Sequence, residues 1–432
     1  MNEKIFSILE FDKIRQLLAA GALTEGARQR ALALAPSDDM DEIRRRQLHT
    51  ADAKRLQGQK GTPSFGSVRD VLGACERAEK GAILSMRDLL DCANVLRTAR
   101  SLLEYSKSDR LFDTSLDEIF ERLVPEKSLE EKISRAIVSE EMVADDASPA
   151  LMDICQKIRK TNARIADLMQ QYTQGSAYSK YLQENIVTTR GGRFVIPVKS
   201  EYKNEIKGLV HDTSASGATL FIEPMRVVEA NNELRQLQSE KEHEIERILW
   251  ELSGLVAASA FTIVCDYKNI TELAFIFACA ELAYRMNACA PTITEERRVE
   301  LIRCRHPLIE QAVPVNILLG GEYSMLVITG PNTGGKTVAL KTLGLFSLMA
   351  QAGLQLPCEQ ASVCVFDAVF ADIGDEQSIE QSLSTFSSHM VGIVSILEQM
   401  TDQSLVLFDE LGSGTDPVEG AALATSILEE VL

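Results

Sequence analysis

The spacing of apolar residues predicts that the first part of the chain is helical. From residue 3 to about 185, apolar side chains recur at near-helical intervals, and polar loops at 36–38 and 58–67 interrupt the pattern. Ile5, Leu9 and Ile14 mark the first such run. The pattern therefore predicts helices over three longer stretches of this part: 84–105, 129–139 and 151–172.

After about residue 185 the period of the pattern shortens. Segments rich in β-branched residues are separated by Gly191-Gly192 and by the polar stretch 213–217, which predicts a small antiparallel sheet of hairpins. Long helices are predicted on either side of this sheet, the second over 227–256. The expected structure is an antiparallel arm with a β-rich tip at about 185–225. The predicted strands are 186–188, 193–199, 208–212 and 218–222.

From about Val299 the pattern is typical of an α/β domain. The runs 325–329 (MLVIT) and 405–408 (LVLF) are continuously apolar, as buried parallel strands are. Helices are predicted over 338–351 and 418–432. We expect a multidomain fold: a mainly helical core or lever at 1–150, a helical arm with a small antiparallel β clamp at 151–256, an apolar helical return to the core at 257–298, and an α/β domain at 299–432.

The composition is that of an ordinary soluble protein, with 45% hydrophobic and 25% charged residues among 432. The first residues carry charges throughout and do not form a signal peptide, and the most apolar stretch is too short to span a bilayer. The nine cysteines include no CxxC pair, which indicates reduced thiols rather than a zinc site. We expect a cytoplasmic protein with no membrane partner.

The net charge of −18 argues against a general nucleic-acid coat protein, because a negative surface repels phosphate. Residues 157–207 are an exception, since they carry ten Lys or Arg against four acids, a local excess of six positive charges. This segment is the candidate for sequence-independent contact with phosphates. A solvated surface that binds nothing is the alternative. The predicted nucleic-acid-binding residues are Arg190, Arg193, Lys199 and Lys203.

Residues 330–337 (GPNTGGKT) match the GxxxxGK[ST] pattern of a P-loop, between a predicted strand and a predicted helix. Glycines let such a loop curl, so that backbone N–H groups and the helix N-terminus point at phosphate oxygens. Lys336 is expected to reach the β- and γ-phosphates of ATP, and Thr337 to ligate Mg²⁺. The predicted nucleotide-binding residues are Gly330, Pro331, Asn332, Thr333, Gly334, Gly335, Lys336, Thr337 and Val338.

Two acids, Asp409 and Glu410, directly follow the predicted strand 405–408. Asp409 is expected to hold the Mg²⁺ shell, and Glu410 to orient or deprotonate the attacking water. A kinase has no need for that second acid, so the pair favours ATP hydrolysis. Lys336 and Glu410 are the predicted catalytic residues, and Thr337 with Asp409 the predicted metal ligands.

A Ser/Thr-rich segment, 384–389 (STFSSH), precedes a predicted amphipathic helix and lies shortly before Asp409. It resembles the signature loop of ABC-type ATPases, where hydroxyls and the helix dipole bind the γ-phosphate held by the opposite subunit. Ordinary N-capping of the helix is the alternative. On the first interpretation Ser384 also binds nucleotide, and hydrolysis requires a dimer.

The order and spacing of these motifs resemble the MutS family over about 130 residues. The matching segments are 305–307 (RHP), 329–337, 384–386 and 409–415 (DELGSGT). MutS proteins proper begin with a mismatch-reading domain, for which the predicted helical core leaves no room. The segments 212–224 (DTSASGATLFIEP) and 381–390 (QSLSTFSSHM) are similar to the bacterial paralogue of the second type, which lacks mismatch recognition.

This resemblance implies an ABC-type ATPase domain and a homodimeric clamp that binds branched or junction DNA and suppresses recombination, with ATP and Mg²⁺ as cofactors. Action on collided ribosomes, with binding to ribosomal RNA, is the alternative it leaves open. Endonuclease activity is expected only from an Smr domain beyond this sequence. An ABC-type domain needs a further strand that ends in a switch histidine, so we expect the domain to be incomplete at Leu432. We therefore expect this chain to bind nucleotide poorly and to hydrolyse it slowly or not at all.

Several weaker candidates remain. His306 is interpreted as structural rather than as a general base, and His389 as a surface residue. The loop 313–316 is a candidate for adenine contacts. Gln377 lies where ABC-type ATPases sense the γ-phosphate, with chance placement as the alternative.

Overall fold

A computed structural model describes residues 3–108, 112–330, 335–374, 382–413 and 415–432, and only the backbone of 382–388. The chain divides into two compact units. Unit 1 comprises Met1–Asp70, Arg97–Pro125 and Cys265–Leu432. Unit 2 comprises Val71–Leu96 and Glu126–Val264.

The helices of the described residues are α1 (Glu3–Ile8), α2 (Phe11–Gly21), α3 (Glu25–Leu32), α4 (Met40–Lys60), α5 (Leu72–Glu79), α6 (Met86–Lys107), α7 (Asp117–Glu121), α8 (Lys127–Ala136), α9 (Pro149–Thr173), α10 (Met225–Ala258), α11 (Ala260–Arg285), α12 (Lys336–Gln351), α13 (Ser382–Gln399) and α14 (Pro417–Val431). Taken singly, none of them is long and apolar enough to cross a membrane; the bent pair α10 and α11 meets that test only when the two are taken together.

The strands of the described residues are β1 (Ile137–Ser139), β2 (Met142–Val143), β3 (Thr188–Arg190), β4 (Arg193–Lys199), β5 (Gly208–Thr213), β6 (Thr219–Pro224), β7 (Thr292–Thr294), β8 (Arg298–Cys304), β9 (Val315–Gly320), β10 (Gln360–Cys364), β11 (Val369–Asp372) and β12 (Leu405–Phe408). A short 3-10 helix, Ser200–Tyr202, follows β4.

Unit 1 contains a four-stranded sheet in the order β7-β10-β8-β9 and a separate pair, β11 and β12. In the larger sheet β10 is parallel to β7, whereas β8 is antiparallel to both β10 and β9. The pair β11 and β12 is parallel, and Asp372 lies opposite Phe408. Because the carboxyl ends of parallel strands meet at one edge, the residues that follow these two strands are neighbours.

Helix α12 lies in the main hydrophobic core of unit 1, where residues 343–350 are almost fully buried. The last carbonyl groups of a helix have no partner within it. Helix α4 supplies partners: Gln47 Nε2 donates to Ala350 O and Leu354 O, both at 2.9 Å, and Thr50 Oγ1 donates to Gly353 O at 3.0 Å. The buried end of α12 is therefore fixed, which also fixes the position of its N-terminus, where the predicted P-loop ends.

Unit 2 contains an antiparallel sheet in the order β3-β4-β6-β5. Gly191 and Gly192, with φ of 55° and 74°, form the two-residue turn between β3 and β4, and this left-handed backbone favours glycine. Ile196, Val198 and Ile222 of the sheet share one core with residues of α9 and α10. The predicted antiparallel sheet between two long helices is confirmed.

Several predicted element boundaries differ from the structure. The helix expected over 129–139 ends at Ala136, because Ile137 pairs with Val143 in the β1–β2 hairpin. The helical return expected over 257–298 is interrupted at Ser259, where α10 ends before α11 begins. The amphipathic helix expected after the segment 384–389 already begins at Ser382, so that segment is helical itself.

The buried strand expected at 325–329 is wrong. This segment has no regular secondary structure, and Leu326, Val327 and Ile328 are exposed. A strand needs neighbours to hydrogen-bond its N–H and C=O groups. No described segment forms a ladder with 325–329, so its apolar composition alone does not make it a strand.

Candidate functional site

The N-terminus of α12 carries the described part of the P-loop. Gly335 caps the helix with φ of 80° and ψ of 18°, a left-handed conformation that strains any residue with a Cβ. Lys336, the first residue of α12, reaches back across the loop, and its Nζ donates to Gly330 O at 2.6 Å. The lysine therefore joins the two ends of the loop 330–335. Pro331, Asn332, Thr333 and Gly334 lie outside the described residues.

Thr337 connects the helix to the acid after β12. Its Oγ1 donates to Asp409 Oδ2 at 2.5 Å. Asp409 is also held through its backbone, since its N–H donates to Asp372 O at 3.0 Å. The hydroxyl and the carboxylate predicted to ligate Mg²⁺ are thus neighbours, although 72 residues separate them in the chain.

Glu410 adopts an unusual backbone conformation next to this pair. Its φ is 49°, in the left-handed region that residues with a Cβ seldom occupy, and its side chain is exposed. The following turn is tight: Ser413 N donates to Glu410 O at 2.9 Å, and a Cβ on Gly412 would lie 2.4 Å from Gly420 O. The chain thus turns sharply after β12 and leaves the Glu410 carboxylate open to solvent.

A histidine and an aspartate pair beside this edge. His389 Nδ1 of α13 lies 2.9 Å and 3.0 Å from the two carboxylate oxygens of Asp372, the last residue of β11. A Cβ on Gly374 would meet the His389 ring at 2.8 Å, so this position leaves no room for a side chain. His389 keeps 33% of its side chain exposed, as the prediction of a surface residue implies, and the prediction did not include its pairing with Asp372.

The other candidates for the nucleotide site are Val338, Ser384, Gln377 and the loop 313–316. Val338 lies in the first turn of α12. Ser384 lies in the helical backbone of α13, and its side chain and Gln377 are outside what the structure describes. In the loop 313–316, Val313 is exposed, while Asn316 Oδ1 accepts a hydrogen bond from Arg303 N.

His306 is buried in unit 1, and its Nδ1 accepts a hydrogen bond from Leu308 N at 3.4 Å. Burial lowers its pKa, and nearby Glu10 only partly opposes this effect. A buried, neutral ring with a backbone partner agrees with its interpretation as a structural residue.

The described residues contain no cluster of three or more His, Cys, Asp or Glu side chains that could hold a metal ion. A Mg²⁺ site of the P-loop kind needs no such cluster, because one or two protein oxygens act together with substrate phosphates and water. Thr337 Oγ1 and Asp409 Oδ2 provide such a pair of oxygens.

In unit 2, a buried carboxylate organises the residues around Arg193. The Glu223 side chain is 0% exposed and accepts hydrogen bonds from Arg193 Nη1 at 2.9 Å and 3.1 Å and from Asn231 Nδ2 at 2.7 Å. His211 Nε2 lies 2.5 Å from it, and Arg193 Nη2 also donates to Asn232. With 18% of its side chain exposed, Arg193 is bound into the sheet.

The other basic candidates are more open. Arg190 stacks 4.1 Å from the Phe221 ring centroid and forms an ion pair with Asp212 at 3.1 Å. Lys199 Nζ donates to Lys180 O at 3.3 Å, and the Lys203 side chain is exposed. These cations lie on and beside β3, β4 and the short 3-10 helix.

Comparisons with known proteins agree with these motifs. Residues 326–432 match the family described as MutS domain V. The Endonuclease MutS2 of Acetivibrio thermocellus is 47% identical over 435 residues, which cover 99% of this chain and 55% of that protein. The Endonuclease MutS2 of Brevibacillus brevis is 47% identical over 437 residues, covering 100% of this chain and 56% of that protein.

The chain belongs to the MutS family, in its MutS2 branch. The predicted resemblance to the second type of bacterial MutS paralogue is confirmed. This MutS chain spans about half the length of the curated relatives that it matches.

Sequence reasoning missed two groups of residues in this MutS chain. The first is Asp372 with His389, although the run Val369–Asp372 (VFAD) contained a usable signal, an apolar strand that ends in an acid. The second is the Glu223 network. No pattern along the chain marked Glu223 as buried, because its partners Arg193 and Asn231 come from other elements.

Proposed function

We propose that this MutS-family chain binds ATP at the N-terminus of α12 and hydrolyses it to ADP and phosphate. The observation that carries the proposal is the hydrogen bond of 2.5 Å from Thr337 Oγ1 to Asp409 Oδ2. It joins the first turn of the P-loop helix to the acid after β12, the arrangement that P-loop NTPases use to hold Mg²⁺.

The residues of the loop then have separate roles. Gly330, Gly335 and residues 332–334 would present backbone N–H groups to the phosphates, assisted by the helix dipole and by Val338 N–H, while Pro331, which has no N–H, would only shape the loop. Lys336 exchanges its bond with Gly330 O for the β- and γ-phosphates, and Thr337 and Asp409 hold Mg²⁺. When bound, Mg²⁺ supplies charge neutralisation at the phosphate oxygens.

Glu410 acts on the water that attacks the γ-phosphate. Its carboxylate follows the metal-holding Asp409 directly and is exposed, so it is free to accept a proton from water. The strained backbone at φ of 49° turns the residue sharply away from the line of β12. We infer that this turn aims the carboxylate at the nucleotide.

We further propose that the active form is a homodimer in which Ser384 of α13 binds the γ-phosphate held by the partner subunit. The backbone supports this role, since residue 384 lies in the first turn of α13, where helix N–H groups favour anions. ATP binding then closes the dimer. Light scattering with and without ATP tests this step, and a Ser384→Ala chain that dimerises as well as the original would contradict it.

The ATPase proposal is tested with Lys336→Ala, Asp409→Asn and Glu410→Gln. We expect the first two to weaken ATP binding in Mg²⁺ at least tenfold, and the third to bind ATP but release phosphate about 100-fold more slowly. Lys341→Ala is the matched control, because it removes a lysine from the same helix away from the loop. Binding is measured by calorimetry and turnover by phosphate release, in this chain and in the longer protein.

Two results would contradict the ATPase proposal. One is unchanged nucleotide affinity in Lys336→Ala, which would remove the P-loop from the site. The other is full turnover in Glu410→Gln, which would leave the attacking water to another residue.

We also propose that unit 2 binds the phosphate backbone of branched or structured DNA through the tip around β4. Arg193 is held by Glu223 and contributes to the fold, so the phosphate contacts come from Lys199 and Lys203, with Arg190 beside them. Contact with phosphates alone is sequence-independent, which suits recognition of DNA shape.

The DNA proposal is tested with Lys199→Glu/Lys203→Glu on a four-way junction. Each phosphate contact contributes about 0.9 to the slope of log K against log salt, so the slope is expected to become about 2 less steep. Lys127→Glu/Lys132→Glu, on α8 of the same unit, is the matched control for net charge. An unchanged slope in the first variant would contradict the proposal, as would selective recovery of ribosomes instead of DNA from cells.

Endonuclease activity and suppression of recombination are proposed for the longer protein only. The relatives are named endonucleases, and the chain covers 55% and 56% of two of them. Cleavage of junction DNA by the longer protein but not by this chain is the expected result. Equal cleavage by both would place the nuclease within these 432 residues.

A further inference from the structure

Two cysteines of unit 1 lie in contact although 69 residues separate them. Cys289 follows α11 and Cys358 follows α12. An antiparallel bridge brings them together: Cys289 N donates to Leu356 O at 2.8 Å, and Leu356 N donates to Cys289 O at 2.9 Å. The chain then turns, with Cys358 N donating to the same Leu356 O at 2.8 Å.

The two sulfurs are already close to bonding distance. Cys289 Sγ lies 3.4 Å from Cys358 Sγ. A disulfide needs about 2.05 Å, so the sulfurs must approach by a further ~1.4 Å through rotation of the two side chains. The backbone hydrogen bonds between Cys289 and Leu356 do not have to break.

Cys289 is the member of the pair that solvent can reach, and its pKa is lowered. Cys289 is part-exposed, whereas Cys358 is 7% exposed. The hydrogen bond from the Cys358 thiol lowers the pKa of Cys289 to about 7, against the opposing effect of burial, and Lys54 adds a smaller lowering. Lys54 is fixed beside the pair, because its Nζ donates to Ala288 O at 2.6 Å. Cys289 therefore carries the thiolate character that oxidants select.

Unit 2 contains a second pair of contacting cysteines, which solvent does not reach. Cys75 of α5 and Cys92 of α6 are also joined by a side-chain hydrogen bond, which together with burial raises the pKa of Cys92. They are 1% and 0% exposed. The part of the chain that the structure describes thus contains one thiol contact that is open to an oxidant, Cys289 with Cys358, and one that is closed, Cys75 with Cys92.

We propose that Cys289 and Cys358 are a reversible disulfide-forming pair that reacts with peroxides through Cys289. The Cys289 thiolate attacks one peroxide oxygen, the O–O bond breaks, and Cys289 becomes a sulfenic acid while hydroxide leaves. Cys358 sulfur then attacks Cys289 sulfur, the S–O bond breaks, and the departing hydroxide takes the Cys358 proton as water. In total, two thiols and one hydrogen peroxide give one disulfide and two waters.

The bond would close the segment 289–358, which includes β7 to β9, the P-loop and α12. Closing a segment of this length restricts mainly the unfolded chain. It would also tie the buried end of α12 to the end of α11, while the N-terminus of α12 keeps its place. We therefore expect higher stability of the oxidised protein rather than a displaced P-loop.

The test detects the disulfide between Cys289 and Cys358 itself, by peptide mapping. The reduced protein is treated with hydrogen peroxide, blocked with N-ethylmaleimide, and digested with trypsin and glutamyl endopeptidase. The expected product joins peptides 286–295 and 342–359, each with one cysteine, and dithiothreitol separates them. The melting temperature should rise by roughly 5–10 °C in the oxidised protein. On a gel without reductant the protein should keep its monomer mobility.

The controls separate this pair from general oxidation. Cys364→Ser should form the same cross-link, whereas Cys358→Ser should leave Cys289 as a sulfenic acid that dimedone labels. Peptides 70–76 and 88–97 report on Cys75 and Cys92 and should remain alkylated and unlinked. Two results would overturn the proposal. One is that Cys289 and Cys358 do not link and Cys289 stays alkylated. The other is that Cys75 and Cys92 link at a rate equal to that of Cys289 and Cys358.

Discussion

The charged residues around Glu223 and those around Asp409 are arranged in opposite ways. In unit 2, a carboxylate that is 0% exposed is surrounded by Arg193, Asn231 and His211, so its hydrogen-bonding capacity is used within the fold. In unit 1, Asp409 accepts a hydrogen bond from one side chain among the described residues, that of Thr337, and the neighbouring Glu410 carboxylate is exposed.

This difference separates residues that hold the fold from residues that we propose to bind a ligand. A buried carboxylate is stable only with partners of its own, because desolvation of the charge must be offset. An exposed carboxylate such as that of Glu410 has no such requirement and remains available. Charge alone therefore does not identify a binding residue, and the degree of internal pairing must be known.

The largest expected effect comes from removing the buried carboxylate. Glu223→Ala leaves the Arg193 guanidinium without its partner in a part-buried position. We expect the free energy of unfolding of unit 2 to fall by about 3–5 kcal/mol. Urea denaturation measures it through the fluorescence of Trp250, the one tryptophan in the sequence, which lies in α10 of that unit.

Two variants control this experiment. Glu223→Leu combined with Arg193→Met should recover most of the loss, since it removes both charges together. Glu410→Ala, at an exposed carboxylate, should change stability by less than about 0.5 kcal/mol. A loss below about 1 kcal/mol in Glu223→Ala would remove the distinction between the two regions.

The same distinction explains what the sequence could predict. The P-loop, the Asp409-Glu410 pair and the hairpins of unit 2 depend on local patterns, namely glycine spacing, apolar runs and turn residues. The Glu223 network and the Asp372–His389 pair join side chains from different elements, and no local pattern records which elements meet. The strand expected at 325–329 failed for a related reason, because a strand depends on neighbours that its own residues do not reveal.

The second effect concerns the pair that links α13 to β11. A charge-assisted hydrogen bond contributes about 1.5–3 kcal/mol, and part-exposure of His389 and Asp372 reduces this to about 1–2 kcal/mol. A double-mutant cycle with His389→Ala and Asp372→Ala, measured by thermal unfolding, should give a coupling of this size. Additive effects of the two substitutions would show that the pair does not fix α13.

The third effect is a pH dependence specific to unit 1. Burial lowers the pKa of both His49 and His306 from the ordinary value of 6.5. At pH 6.5 the unfolded chain therefore binds protons that the two folded histidines do not. Their contribution to the free energy of unfolding is complete above this pH and falls as the pH decreases below it. Glu10 and Glu42, whose pKa values are lowered from 4.5 by their hydrogen bonds with Lys13 and Ser37, act only in a more acidic range.

Thermal unfolding between pH 7.5 and 5 measures this dependence. His49→Gln and His306→Gln should each flatten the curve, while Lys336→Ala should leave its slope unchanged. A curve that stays flat to pH 5 in the original chain would contradict the assignment of neutral, buried histidines.

Substitution of Arg190 has the smallest expected effect on stability. Arg190 is intermediate between the residues that are paired within the fold and the residues that remain open to a ligand. Its guanidinium stacks on Phe221 and pairs with Asp212, contacts worth about 0.5–1 kcal/mol at a part-exposed site. Arg190→Met should therefore lower stability of unit 2 by no more than about 1 kcal/mol. Because the pair with Asp212 is open to solvent, phosphate can replace that carboxylate, and the salt slope of junction binding should become about 1 less steep. A loss of stability with an unchanged slope would place Arg190 with Arg193 in the fold, and an unchanged stability with a shallower slope would place it with Lys199.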